Sequence, residues 1–139
     1  MIAQRIAGVL LALWAGSLLT ICGLVAPSLF AVLERSAAGR LAARFFFAET
    51  IIGVSVAVCV LILQRIAGFA LPRTALIAIM VGALAPLSSE LILGPMMQAA
   101  RNAGDMARFG ALHGVSALLF VVACVSAVIA VWTFNRPAA

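Results

Sequence analysis

Polar and apolar residues in this chain segregate into long blocks instead of alternating. Ile6 to Leu33 contains no charged residue. Phe45 to Gln64 contains only Glu49, Thr74 to Leu93 only Glu90, and Phe109 to Asn135 only His113 as a group that charges near neutrality. Each block reaches the roughly 20 residues that a helix needs to cross a hydrocarbon core of about 30 Å. Backbone groups in lipid must be satisfied internally, which leaves helices or a closed barrel. Barrel strands alternate apolar and polar residues, and these blocks are apolar all round. The pattern predicts an all-α fold, a four-helix transmembrane bundle with antiparallel up-down topology.

The predicted spans are about 4–31, 44–65, 74–93 and 111–134, within a single integral membrane domain covering 1–139. A basic loop joins the first two spans and a short turn through Pro72 joins the next two. A longer connection runs from Gly94 to Gly110. Its mixed residues predict a short amphipathic piece lying in the interface. The first span has the weak basic start of a secretory signal, Arg5, but its apolar run is too long for one, and Pro27 disfavours cleavage after Ala26. It reads as a retained span.

Composition agrees. The chain is 66% hydrophobic and 9% charged, with a mean hydropathy of +1.28. A soluble domain is nearer half apolar and a quarter charged. The net charge of +5 comes from arginines alone. They sit at span ends, where interfaces favour them, so the charge does not mark a nucleic-acid surface. Four spans place both termini and the 65–73 turn on one side, here side A, and the other two connections on side B. Side A carries Arg5, Arg65, Arg73 and Arg136; side B carries Arg35, Arg40, Arg44, Arg101 and Arg108. That near-balance does not fix an orientation by the positive-inside rule. Cys22, Cys59 and Cys124 each lie inside a span and form no C-x-x-C pair, so they read as small apolar fillers.

Small residues recur along two spans. Gly8, Ala12, Gly16, Thr20, Gly23 and Pro27 form one row on the first, and Gly82, Pro86, Glu90 and Gly94 form another on the third. Such rows let membrane helices approach closely, so both are expected to be packing seams. Pro86 is expected to kink the third span and free the carbonyl of Gly82. Trp132 reads as an interface anchor, and Ser88 and Ser89 as bonding carbonyls of their own helix.

Glu49, Glu90 and His113 are the residues that could carry chemistry, because an ionisable group inside a span is a functional-site hypothesis by default. Their sequence positions place all three towards side B. Arg44, Met96, Met97, Arg101 and Arg108 fall at the same end. Three readings follow. The carboxylates could pair with the arginines while His113 caps the last span. Two carboxylates and an imidazole, with methionine nearby, could hold a borderline or soft metal. Or the buried acids and the histidine could handle protons or a solute. No H-x-x-x-H or E-x-x-H spacing supports the metal, and no nucleophile elbow, phosphate loop or triad marks an enzyme.

The run Trp14-Ala15-Gly16, then Val25-Ala26-Pro27-Ser28-Leu29-Phe30 with Leu33 and Ala38-Gly39, resembles the opening of the transmembrane-protein-205-like family. Glu49 early in the second span and Leu112-His113-Gly114-Val115-Ser116 at the start of the last are similar to that family's pattern. The resemblance implies a four-span membrane protein and little mechanism; eukaryotic relatives are associated with platinum-drug resistance. A looser similarity links the architecture to haem-associated oxidases and copper-resistance membrane domains, which ligate through histidines inside spans. With a single histidine, bis-histidine haem ligation within one chain is excluded. The expectation is a non-enzymatic protein of the cell inner membrane with a polar pocket at side B and no cofactor. A metal- or haem-binding protein is the first alternative, and an accessory subunit of a membrane complex, or a homo-oligomer, the second.

Overall fold

A computed structural model describes residues 1–136, and their regular structure is helical throughout. The helices are α1 (Ile2–Thr20), α2 (Ala26–Val32), α3 (Arg35–Ala67), α4 (Arg73–Ser88), α5 (Gly94–Asn102) and α6 (Met106–Phe134). A π-helical turn, Ile21–Val25, joins α1 to α2, and a second, Ser89–Leu93, joins α4 to α5. The result is four long apolar helices: Ile2–Val32, Arg35–Ala67, Arg73–Asn102 and Met106–Phe134. They form an up-down bundle in which each packs on its sequence neighbours and α6 closes against α1.

The outward faces are as apolar as the core. Leu13, Ile77, Leu118 and Trp132 are each more than 60% exposed. Such surfaces are untenable in water at this extent. In lipid they are the expected exterior, and the chain is a multi-pass membrane protein.

Helix ends depart from the hydropathy pattern for identifiable reasons. The basic stretch after Glu34 is not a loop: α3 begins at Arg35, because Ala and Arg are strong helix formers. The hydropathy signal marks where lipid begins, not where the helix does. At 33 residues α3 is about 50 Å long at 1.5 Å per residue, longer than a hydrocarbon core of about 30 Å requires. It ends at Gly68, whose φ of 65° is the left-handed cap that glycine provides, with its N–H on the Gln64 carbonyl. Likewise Gly94-Pro95 does not end the third span. Proline is tolerated in the first turn of α5, and the expected amphipathic piece is α5, continuous with the span. The connection shrinks to Ala103–Asp105, where Gly104 takes a φ of 71° and Asp105 Oδ1 accepts the Arg108 N–H at 3.0 Å, capping α6.

Both π turns precede a proline, Pro27 or Pro95. Proline donates no hydrogen bond to the carbonyl one turn back, and a π turn shifts the bonding register by one residue. The Ala26 N–H thus reaches the Ile21 carbonyl and the Gly94 N–H the Ser89 carbonyl.

At the centre of the bundle Trp14 is 2% exposed. Its ring lies against two glycines on neighbouring helices. A Cβ at Gly53 of α3 would come within 3.0 Å of the indole nitrogen, and one at Gly82 of α4 within 2.8 Å of the ring edge. Missing side chains on two helices make room for the largest side chain on a third. Ala7, Leu11, Ala15 and Leu18 continue the buried face of α1.

The small-residue row on the first span is therefore not the seam expected of it. Gly8 packs against Phe134, where an added Cβ would meet the ring at 3.3 Å. Ala12, Gly16, Thr20, Gly23 and Pro27 are exposed, and a Cβ at Gly16 or Gly23 would meet nothing within 4 Å. The reason is helical geometry: steps of four residues overshoot a 3.6-residue turn, so the row winds off the face on which it starts. On the third span Gly82 and Pro86 are buried as expected.

Candidate functional site

Ser17 lies halfway along the first span, one turn beyond Trp14. Its hydroxyl stands between two oxygens, the Trp14 carbonyl at 2.9 Å and Glu49 Oε2 at 3.3 Å. Glu49 reaches it from α3 and is 3% exposed. The neighbouring Thr50 is also buried but turns its hydroxyl to the Phe46 carbonyl of its own helix. Glu49 is thus a carboxyl inside the bundle whose hydrogen-bond partner is a neutral hydroxyl. The arginines expected to neutralise it do not: Arg44, Arg101 and Arg108 are exposed.

The π turn of the first span places Cys22 against α6, where Cys124 Sγ donates to Cys22 Sγ at 3.4 Å. Cys124 is buried, Cys22 half-buried and Cys59 exposed. Two polar contacts between helices thus stand inside the chain's apolar spans, Ser17 with Glu49 and Cys22 with Cys124.

The other candidates lie further towards side B. Glu90 is half-buried within the second π turn. Beside it Ser89 donates to Ser116 of α6 at 2.7 Å, while Ser88 bonds the Ala85 carbonyl. Of the two serines, only Ser88 bonds its own helix as expected. His113 is exposed and stacks on Phe109, centroids 6.0 Å apart, and the Arg101 guanidinium lies 4.6 Å above the same Phe109 ring. Met96 is 37% exposed and Met97 half-buried.

Phe46 and Phe120, 4.5 Å apart, set a common level for comparing depths. Glu49 lies three residues from that level towards side A and His113 seven residues towards side B. At 1.5 Å per residue the two are about 15 Å apart in depth. The three titratable groups expected to share one pocket stand instead at successive depths. Among the described residues no three of His, Cys, Asp and Glu gather closely enough to hold a metal ion. Two surface hollows, one lined by Phe30–Arg35 and one between the start of α1 and the end of α6, include none of Glu49, Glu90 and His113.

Sequence reasoning missed the thiol pair and the Ser17 contact. Cys22 and Cys124 are 102 residues apart and share no motif. Ser17 gives a weak signal, a hydroxyl three residues after a mid-span tryptophan.

The sequence model of a domain of unknown function, DUF4149, matches residues 9–106. This chain belongs to the DUF4149 family. No curated protein and no solved structure matches it. The DUF4149 match spans Trp14, Ser17, Cys22, Glu49 and Glu90 and stops before His113 and Cys124. Of the residues that resemble the transmembrane-protein-205-like family, those from Trp14 to Glu49 lie inside the match and the Leu112–Ser116 run lies outside it; the match itself is to DUF4149.

Proposed function

We propose that this DUF4149 protein is a non-enzymatic, multi-pass protein of the cell inner membrane that works through an exchangeable proton on Glu49. The observation that carries the reading is the pair of acceptors facing one hydroxyl. Ser17 has a single proton and two oxygens within reach, the Trp14 carbonyl and Glu49 Oε2. With a proton on Glu49, both contacts are made: the carboxyl donates to Ser17 Oγ, and Ser17 donates to the Trp14 carbonyl. Without it, the carboxylate competes with the Trp14 carbonyl, which keeps its own helix N–H, for the one hydroxyl proton, and a buried carboxylate short of donors is costly. The state of Ser17 is thereby coupled to the proton on Glu49. Glu90 and His113, at successive depths, are the groups available to pass that proton towards side B. Any likeness to the transmembrane-protein-205-like family belongs to this reading as a lead on relatives.

The test is proton flux into sealed proteoliposomes that carry a pH-sensitive dye and an imposed pH gradient. The wild-type chain is expected to dissipate the gradient faster than protein-free vesicles, and Glu49→Gln, which keeps the shape and loses the exchangeable proton, is expected to abolish the excess. Equal rates for wild type and Glu49→Gln would overturn the reading.

A further inference from the structure

We propose that Cys22 and Cys124 form a two-thiol site for a soft monovalent metal cation, independent of the proton reading of Glu49. Two helices from opposite ends of the chain bring these sulfurs to 3.4 Å. They are not held there by chain proximity. The π turn Ile21–Val25 begins one residue before Cys22, and π turns inside long helices recur at functional sites. Cys59, by contrast, points out of the bundle.

The donor set selects the class of ion. Thiolate sulfur is a soft ligand. Structural zinc takes four protein ligands and catalytic zinc three, whereas no group of three His, Cys, Asp and Glu that could hold a metal exists among the described residues. A soft monovalent cation is satisfied by two sulfurs in line. Two metal–sulfur bonds of about 2.3 Å put the sulfurs up to roughly 4.6 Å apart. A parting of about 1 Å from the present contact is within reach of side-chain rotation. Cys22 is half-buried, so the pair stands at the edge of the bundle interior. Loading releases the two S–H protons to solvent as one cation binds, leaves a net charge of −1 on the pair and moves no electrons, which distinguishes it from disulfide formation.

Silver(I), soft and redox-silent under these conditions, is the probe. Full-length Cys59→Ser protein is reduced, loaded with Ag(I) in detergent, passed through a desalting column in the presence of a competing thiol, and analysed for silver per chain. One silver per chain is expected. Adding Cys22→Ser or Cys124→Ser should weaken silver binding by more than the roughly 10–100-fold that a change outside the ligand set costs, leaving no silver retained against the competing thiol. Glu49→Gln should retain it, so failure here and failure of the proton reading are separable. A second measurement needs no change to the pair: Ag(I) should protect Cys22 in the Cys59→Ser protein from alkylation by a maleimide. Silver retained by the single-thiol variants, no silver on the Cys59→Ser protein, alkylation unaffected by Ag(I), or a Cys22–Cys124 disulfide in protein isolated without reductant would each overturn the proposal.

Discussion

The middle of the bundle and its side B end are both built from polar residues in an apolar chain, and they solve the problem of polarity in opposite ways. In the middle, Glu49 and Ser17 are held by packing: Trp14 fills the space left by Gly53 and Gly82, and the Ser17 hydroxyl bridges the Trp14 carbonyl and Glu49. At side B, Arg101 and His113 each pack on the Phe109 ring, and both are exposed. A group at the edge can turn to headgroups and water. A group in the middle has only its protein partner. The number of titratable residues at an end is therefore a poorer guide to a constrained polar group than the scarcity of partners around one residue.

The comparison makes a ranked set of expectations for unfolding in detergent followed by circular dichroism. The largest concerns Trp14. Trp14→Ala should lower stability by about 3–5 kcal/mol, as for other buried aromatics; a loss under 1 kcal/mol would mean the centre is not the packed core it looks to be. Next is a contrast between two glycines. Gly82→Ala drives a Cβ to within 2.8 Å of the Trp14 ring and should cost about 1–3 kcal/mol. Gly16→Ala, with nothing within 4 Å, should stay within about 0.5 kcal/mol. Equal costs would return the small-residue row on α1 to a packing role.

Ser17→Ala comes third, at about 0.6 kcal/mol, the average for a hydrogen bond between membrane helices. Its more telling readout is a matching change in proton flux. Smallest is the side B end: His113→Ala should change stability by less than about 0.5 kcal/mol. A loss as large as that of Gly82→Ala would show the stack at side B to be structural.

The four crossings were legible because lipid imposes the same requirement on every span, and charge-poor blocks near 20 residues answer it. Helix ends were not, since a polar stretch such as Arg35–Arg44 can be helical outside the lipid as readily as it can be a loop. Glu49 was legible as a candidate because a carboxylate in an apolar block is conspicuous. Its surroundings were not. The sequence places it near the start of the second hydrophobic block and hence near side B. The structure pairs it with Ser17, halfway along the first span, because α1 and α3 run antiparallel. Gly53 was overlooked because it belongs to no row of small residues; its role exists only opposite Trp14. The thiol pair depends on α6 closing against α1, a contact between the first and last spans that periodicity along either one does not encode.

Under the proton proposal Glu49, not the side B set, is the working carboxyl. Proton flux measured side by side for Glu49→Gln and His113→Ala proteoliposomes at equal protein content tests it most directly. The expected result is that Glu49→Gln falls to the rate of protein-free vesicles while His113→Ala keeps a measurable excess over them. The reverse order, with flux lost in His113→Ala and kept in Glu49→Gln, would contradict it.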